Sequence, residues 1–357
     1  MKVTTGSFLG ANTPQGFVSF FDELYNPYEK CRALIIKGGP GTGKSTLMKE
    51  VQKKAAQKGY SVECAFCASD PKSLDGVIIP ELSLCMADGT SPHVIEPKFP
   101  GACEIIINTG DFWDSKGLFE RGEEIRALTL ENSLHHRRSS AYLSASGKLF
   151  SENRRLLSAY VNTDKIYSYA VRFVNRELPK VSDTPGKKKR RFLSAISPDG
   201  RVFLSDTVKK QAYRIIGVED ESGAAASLLV DRIGELAVKR GYDVLFCYCP
   251  MSPKGEAEHI IIPKAGIALI SERKNHRINL SYDRVIHSKR FLYDGAEAHR
   301  KQLLFNRKLQ NLLTDESINC LKKAKAVHDQ LEKIYIENMD FKGLGQLAQK
   351  ITDDFVR

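Results

Sequence analysis

Apolar and polar positions along the chain alternate between two periods. A β-branched or aliphatic run at Ala33 to Ile36 is followed by a helical pattern over Lys44 to Lys58, a second strand over Ser61 to Phe66 and another apolar run over Glu81 to Ala87. A long tail from Leu118 to Leu178 then carries apolar residues at helical spacing. The same order returns at Tyr213 to Ile216, Ala224 to Arg240, Asp243 to Tyr248, Lys264 to Ile270 and Gly295 to Phe355. In the last of these, Leu321, Ala324, His328, Leu331 and Tyr335 fall on one helix face. Strands alternating with helices predict an α/β fold with parallel sheets in three α/β/α layers, each unit followed by a helical hairpin.

The two series also match residue by residue. Phe8 to Gly16 reads against Phe192 to Gly200, with Pro14 matching Pro198, and Asp22 then falls on Asp206. Gly43 matches Gly223, Gly59-Tyr60 matches Gly241-Tyr242, Ile78-Ile79-Pro80 matches Ile261-Ile262-Pro263 and His93 matches His276. The offset drifts only between 180 and 184 residues, as small loop insertions require. Several matches in one order near one offset predict a tandem duplication. The expected division is 1–181, a basic linker at 182–191 and 192–357. Pro185-Gly186 and the run Lys187 to Arg191 supply the linker signals.

The 357 residues, 42% hydrophobic and 27% charged, are enough for two ordinary globular cores. A net charge of +11 favours anionic partners without choosing among them. No uncharged apolar run approaches the roughly 18 residues of a membrane helix, and Met1 to Thr13 lacks a signal-peptide pattern. The expectation is a cytoplasmic chain whose 8 cysteines are reduced, mostly buried thiols. Cys64 and Cys67 form a C-x-x-C within a strand-like run, so packing is expected there rather than zinc.

One segment carries specific chemistry. Gly38-Gly39-Pro40-Gly41-Thr42-Gly43-Lys44-Ser45-Thr46 fits the G-x-x-x-x-G-K-[ST] phosphate loop, between a strand and a helix. Its glycines allow backbone N–H groups to close on phosphate oxygens at a helix N-terminus. Lys44 is expected to reach the β- and γ-phosphates, and the Ser45 hydroxyl to complete a Mg²⁺ shell. Lys37 is not the extra lysine of partitioning ATPases, because Gly39 occupies that position. In the second series Lys44 and Ser45 are replaced by Ala224 and Ala225, and Glu219, Asp220 and Glu221 add like charge. One intact and one disarmed site are therefore expected. Magnesium needs a further acid at a strand end. Asp88 is the first choice and Asp70 the second; they align with Ser271 and Ser252, while Asp111 aligns with Phe291. Asp22 and Asp114 persist as Asp206 and Asp294, which points to caps or turns. No glutamate directly follows Asp88 to polarise water.

With those residues in view, the chain resembles an uncharacterised family of bacterial P-loop ATPases found mainly in Gram-positive, often spore-forming organisms. The likeness rests on Phe8 to Phe17, Ile36 to Thr46, Cys67 to Pro71, Ser73 to Val77, Asp88 to His93 and Gly110 to Asp114. Such proteins have two tandem P-loop domains, and the resemblance implies ATP binding at Gly38 to Thr46. Loss of the second lysine departs from members with two intact loops.

The leading expectation is a slow Mg-dependent ATPase with one site and an unknown protein or small-molecule partner. One rival is a small-molecule kinase using Asp70, Asp75 or Asp111 as base. Another is a regulatory module binding nucleic acid through Lys187 to Arg191. Arg154, Arg155, Arg273 and Arg290 are candidate arginine fingers.

Overall fold

The computed structural model describes residues 4–220, 223–273 and 278–356. Glu221, Ser222 and His276 lie outside the described residues. The first half contains β1 (Thr4–Phe8), β2 (Gly10–Thr13), β3 (Gly16–Ser19), β4 (Arg32–Lys37), α1 (Lys44–Gln57), β5 (Val62–Phe66), β6 (Leu74–Ile79), β7 (Leu84–Asp88), β8 (Glu104–Asn108), α2 (Ser115–Glu120), α3 (Gly122–Ser158) and α4 (Thr163–Glu177). The second contains β9 (Lys188–Arg191), β10 (Ser194–Ser197), β11 (Gly200–Phe203), α5 (Ser205–Gln211), β12 (Arg214–Glu219), α6 (Ala224–Lys239), β13 (Val244–Cys247), β14 (His259–Ile262), β15 (Ile267–Glu272), β16 (Arg284–His287), α7 (Arg300–Glu337) and α8 (Phe341–Phe355).

Two similar six-stranded sheets result. Their orders are β1-β5-β6-β7-β4-β8 and β9-β13-β14-β15-β12-β16. Neither is wholly parallel, which corrects the expectation: β6 pairs antiparallel with β5 and β7, and β14 with β13 and β15. The connections give the reason. Only Pro80 to Ser83 separate β6 from β7, and Asp70 forms a tight turn between β5 and β6. A parallel crossover needs a dozen or more residues. The third layer is also thin. On the first sheet, the face away from α1 packs Phe20, Phe21 and Leu24, and the corresponding cover of the second sheet is the short α5.

The helical tails do not fold back as hairpins. Helices α3 and α7, of 37 and 38 residues, run antiparallel along each other. Each spans about 55 Å, far beyond the width of one sheet. Small polar residues line their seam: the Ser139 and Ser317 hydroxyls meet at 2.7 Å, Ser146 and Thr314 at 3.0 Å, and Asn306 donates to Asn153 at 2.8 Å. Because the long helices cross between the halves, the helices that follow them dock on the opposite half. Ile166, Ala170 and Phe173 of α4 pack with Leu229, Val230 and Ile233 of α6. Ala348 and Ile351 of α8 pack with Leu47, Met48 and Val51 of α1. Arg240 fastens the first exchange by donating to the carbonyls of Val174 and Leu178 at the end of α4.

The halves also join at their sheets. Phe8 and Phe192 exchange two backbone hydrogen bonds of 2.9 Å. The basic run beside them is not a solvated linker. Lys188 to Arg191 form β9, the edge strand beside β13. Their charges face acids: Lys188 pairs with Glu235, Lys189 with Glu63, Arg190 with Asp22 and Glu23, and Arg191 with Glu23 and Glu63. Arg191 is only 3% exposed. A run of like charge reads as solvated only while its partners are out of view. Here most of the partners lie in the first half, about 130 to 170 residues earlier in the chain. No helix among the described residues is long and apolar enough to cross a membrane.

Candidate functional site

The glycine-rich segment Gly38 to Gly43 leaves the carboxyl end of β4, which lies between β7 and the edge strand β8 of the first sheet, and enters α1 at Lys44. Gly43 caps α1 with φ of +80°, a left-handed conformation that a side chain would strain. Its counterpart Gly223 has φ of +76° before α6. The intervening loops differ. Register places Lys37 and Glu219 as matching last residues of β4 and β12. Five residues then precede Gly43, but only three precede Gly223. The second loop is thus two residues shorter as well as lacking its lysine.

Lys44 folds back over the loop. Its ammonium donates to the carbonyls of Gly38 at 3.1 Å and Gly39 at 2.6 Å. Asp88 Oδ2 lies 3.7 Å away, because parallel pairing of β4 with β7 sets Ile36 opposite Asp88. The other Asp88 oxygen accepts the Thr90 N–H at 2.9 Å, which holds the carboxylate at the strand end. Ser45 Oγ accepts the Leu74 N–H at 2.9 Å. Thr42 is buried, donating to the Gly39 carbonyl and accepting from Thr109. Lys37 is turned away from the loop and braces the chain after β7 by donating to the carbonyls of Gly89 and Ile95.

The other acids stand apart from this pair. Asp70 accepts from the Lys72 N–H and the Ser73 hydroxyl, with Lys325 at 3.9 Å. Asp75 is buried with His93 Nε2 at 3.1 Å, and Phe17 and Phe21 pack on that imidazole. Asp111 accepts from Asn108 Nδ2 at 2.7 Å. Asp114 caps α2. Matching main-chain bonds align Asp114 with Tyr293 and Asp111 with Arg290, one position from the sequence alignment. The four candidate arginines are engaged elsewhere: Arg154 with Ser227 and Glu256, Arg155 with Glu152, Arg273 with Glu258, and Arg290 over the Tyr169 and Phe291 rings. Burial pushes the thiols of Cys64 to about 11 and of Cys247 and Cys249 to about 12, so they stay protonated. Among the described residues no group of His, Cys, Asp and Glu forms a metal cluster.

What the sequence did not reveal is the roof of the loop. It comes from the second half. A Cβ on Gly39 would strike Tyr335, on Gly41 the Glu332 carbonyl, and on Gly43 Leu344. The glycines therefore also admit close approach of α7 and α8. The Glu332 carboxyl is held below the ordinary carboxylate range, chiefly by the His328 imidazole at 3.4 Å, with the smallest contribution from the Gly41 N–H. One loop amide thus already faces a carboxylate. The only sequence signal for this was the helical stripe containing His328 and Tyr335.

The second half differs at the corresponding helix start. Asp220 is buried and accepts the Ala226 N–H at 2.8 Å, placing a carboxylate of the chain itself on the N-terminus of α6. Compared with family models, curated proteins and solved structures, the chain has no significant match.

Proposed function

We propose that the chain binds ATP with magnesium at Gly38 to Thr46 and hydrolyses it slowly, with a single site in the first half. The observation that carries this reading is the Lys44–Asp88 pair at 3.7 Å, set by adjacent parallel strands beside a glycine loop that opens a helix. The loop amides and the Lys44 ammonium suit a polyphosphate. The hydroxyl of Ser45 and the carboxylate of Asp88 are hard oxygen donors that fit magnesium, which would share the phosphate charge. The second loop is two residues shorter and lacks the lysine, and the Asp220 carboxylate already accepts the Ala226 N–H at the start of α6, which supports one site rather than two. The roof of Glu332 and Tyr335 makes nucleotide entry depend on α7 and α8, so occupancy would be felt across both halves.

Calorimetric titration with a non-hydrolysable ATP analogue tests this reading. One site per chain is expected, lost in Lys44→Ala, together with phosphate release that the same substitution removes. Two sites per chain, or binding untouched in Lys44→Ala, would overturn it.

A further inference from the structure

Helix α4 and β16, the last strand of the second sheet, border a cleft of about 310 Å³. Half of its lining residues are arginines, and none is an acid: Arg172 and Arg176 on α4, Arg284 on β16 and Arg290 just beyond it. Among the described residues only Arg176 of the four meets a carboxylate, that of Glu177 at 2.9 Å, which is shared with Arg214 at 2.8 Å. Arg290 lies over the Tyr169 and Phe291 rings and Arg284 over Phe173, contacts that orient a guanidinium without neutralising it. Arg284 Nε and Nη2 are buried without acceptors, so this cation acts on the cleft chiefly through its field.

The other half of the molecule shows that packing does not demand this set. The Asn162 N–H at the start of α4 donates to the Phe291 carbonyl at 2.8 Å, as the Asp340 N–H at the start of α8 donates to Phe112 at 2.7 Å. That correspondence sets Arg172 against Lys350, Arg176 against Asp354 and Arg290 against Asp111, and strand register sets Arg284 against Ile105. Four cations in one half thus answer to one cation and two acids in the other. The same backbone arrangement forms with either set, although gathering like charges costs energy.

Arginine forks match the oxygens of phosphate groups. Tyr169, beneath Arg290, and Arg176 stand seven residues apart, roughly 10 Å along α4, so one anion cannot cover both ends. Between them the outer edge of β16 pairs with no further strand, which leaves main-chain donors and acceptors for hydroxyl groups. The volume is at the lower end for small-molecule sites. Phe173 is buried, which leaves Tyr169 alone to stack a base, too little for a nucleic-acid strand.

We propose that this cleft binds a small bisphosphate with a hydroxylated, sugar-sized body, one phosphate held by Arg172 and Arg290 and the other by Arg176. The site is independent of the nucleotide reading.

Fructose 1,6-bisphosphate, fructose 6-phosphate and a short oligothymidylate serve as probes in calorimetry on the full chain. The bisphosphate is expected to bind at least tenfold more tightly than the monophosphate. Arg172→Ala and Arg290→Ala should each weaken it roughly tenfold. Lys350→Ala, at the corresponding place in the other half, and Lys44→Ala should both leave it unchanged. Thermal unfolding verifies that each variant folds. The proposal is overturned if the bisphosphate does not bind, if it binds no better than the monophosphate, or if folded Arg172→Ala and Arg290→Ala both bind like the parent. Loss of binding in folded Lys44→Ala would assign the ligand to the glycine loop, and tighter binding of the oligothymidylate would assign the cleft to nucleic acid; either result also overturns it.

Discussion

Replacing Glu332 by glutamine should strengthen nucleotide binding. The Gly41 N–H helps to lower the pKa of the Glu332 carboxyl, so an incoming phosphate must overcome a charge already beside the loop. The side chain is 35% exposed, and glutamine keeps an oxygen that can face the same N–H, so the substitution removes only a solvent-screened charge. Repulsion between two unit charges a few ångströms apart in water is up to about 1 kcal/mol. That corresponds to a gain in affinity for the ATP analogue of up to roughly fivefold. Calorimetry on the parent, Glu332→Gln and Lys44→Ala measures it. The carboxyl is depressed below its ordinary value of 4.5, so its contribution is present above that pH and lost as pH falls through the lower folded value. The gain should therefore be flat across neutral pH. An unchanged or weakened affinity in a folded Glu332→Gln protein would refute the argument, and a loss would mark the carboxylate as part of the site.

Ile351 of α8 is buried against α1, so Ile351→Ala should cost about 2–5 kcal/mol in denaturant unfolding. A fragment of residues 1–191, lacking α8, should lose the cooperative transition of the full chain. A fragment that melts like the parent would contradict the exchange of tails. Burial lowers the His136 pKa below 6.5, so the unfolded chain takes up a proton first as pH falls. Thermal stability should decline from about pH 6.5 toward the folded value, and His136→Gln should flatten that decline. Asp220→Ala should cost about 1–2 kcal/mol through loss of a buried cap, without adding a second ATP site, because the loop stays two residues short.

Much of this architecture was legible because it is encoded locally. The β-branched run at Ala33 to Ile36, the helical period after Lys44 and the glycine spacing between them each depend on neighbours within a few residues. Asp88 was legible for a similar reason, since an apolar run ending in an acid marks a strand end. Correspondence between the halves pointed to two similar sheets, but a gapless alignment concealed that the loop before Gly223 is shorter; strand register was needed to reveal it. The antiparallel β6 and β14 were missed because Leu74–Ile79 and His259–Ile262 were read only as matching Ile-Ile-Pro segments and not as strands, and the alternation of strands and helices then implied parallel pairing throughout.

Local pattern sufficed to place the strand before each loop, the helix after it and the strand that follows, and to tell which half keeps the lysine. What those elements meet came from the packing of distant segments. A half-apolar helix face does not specify its partner, and a helix about 55 Å long carries the chain past its own sheet to the neighbouring one. That reach puts α8 on α1, α4 on α6 and Glu332 over Gly41. The basic run from Lys187 illustrates the same principle in charge. Five adjacent cations imply water until the fold brings acids from distant parts of the chain to their side.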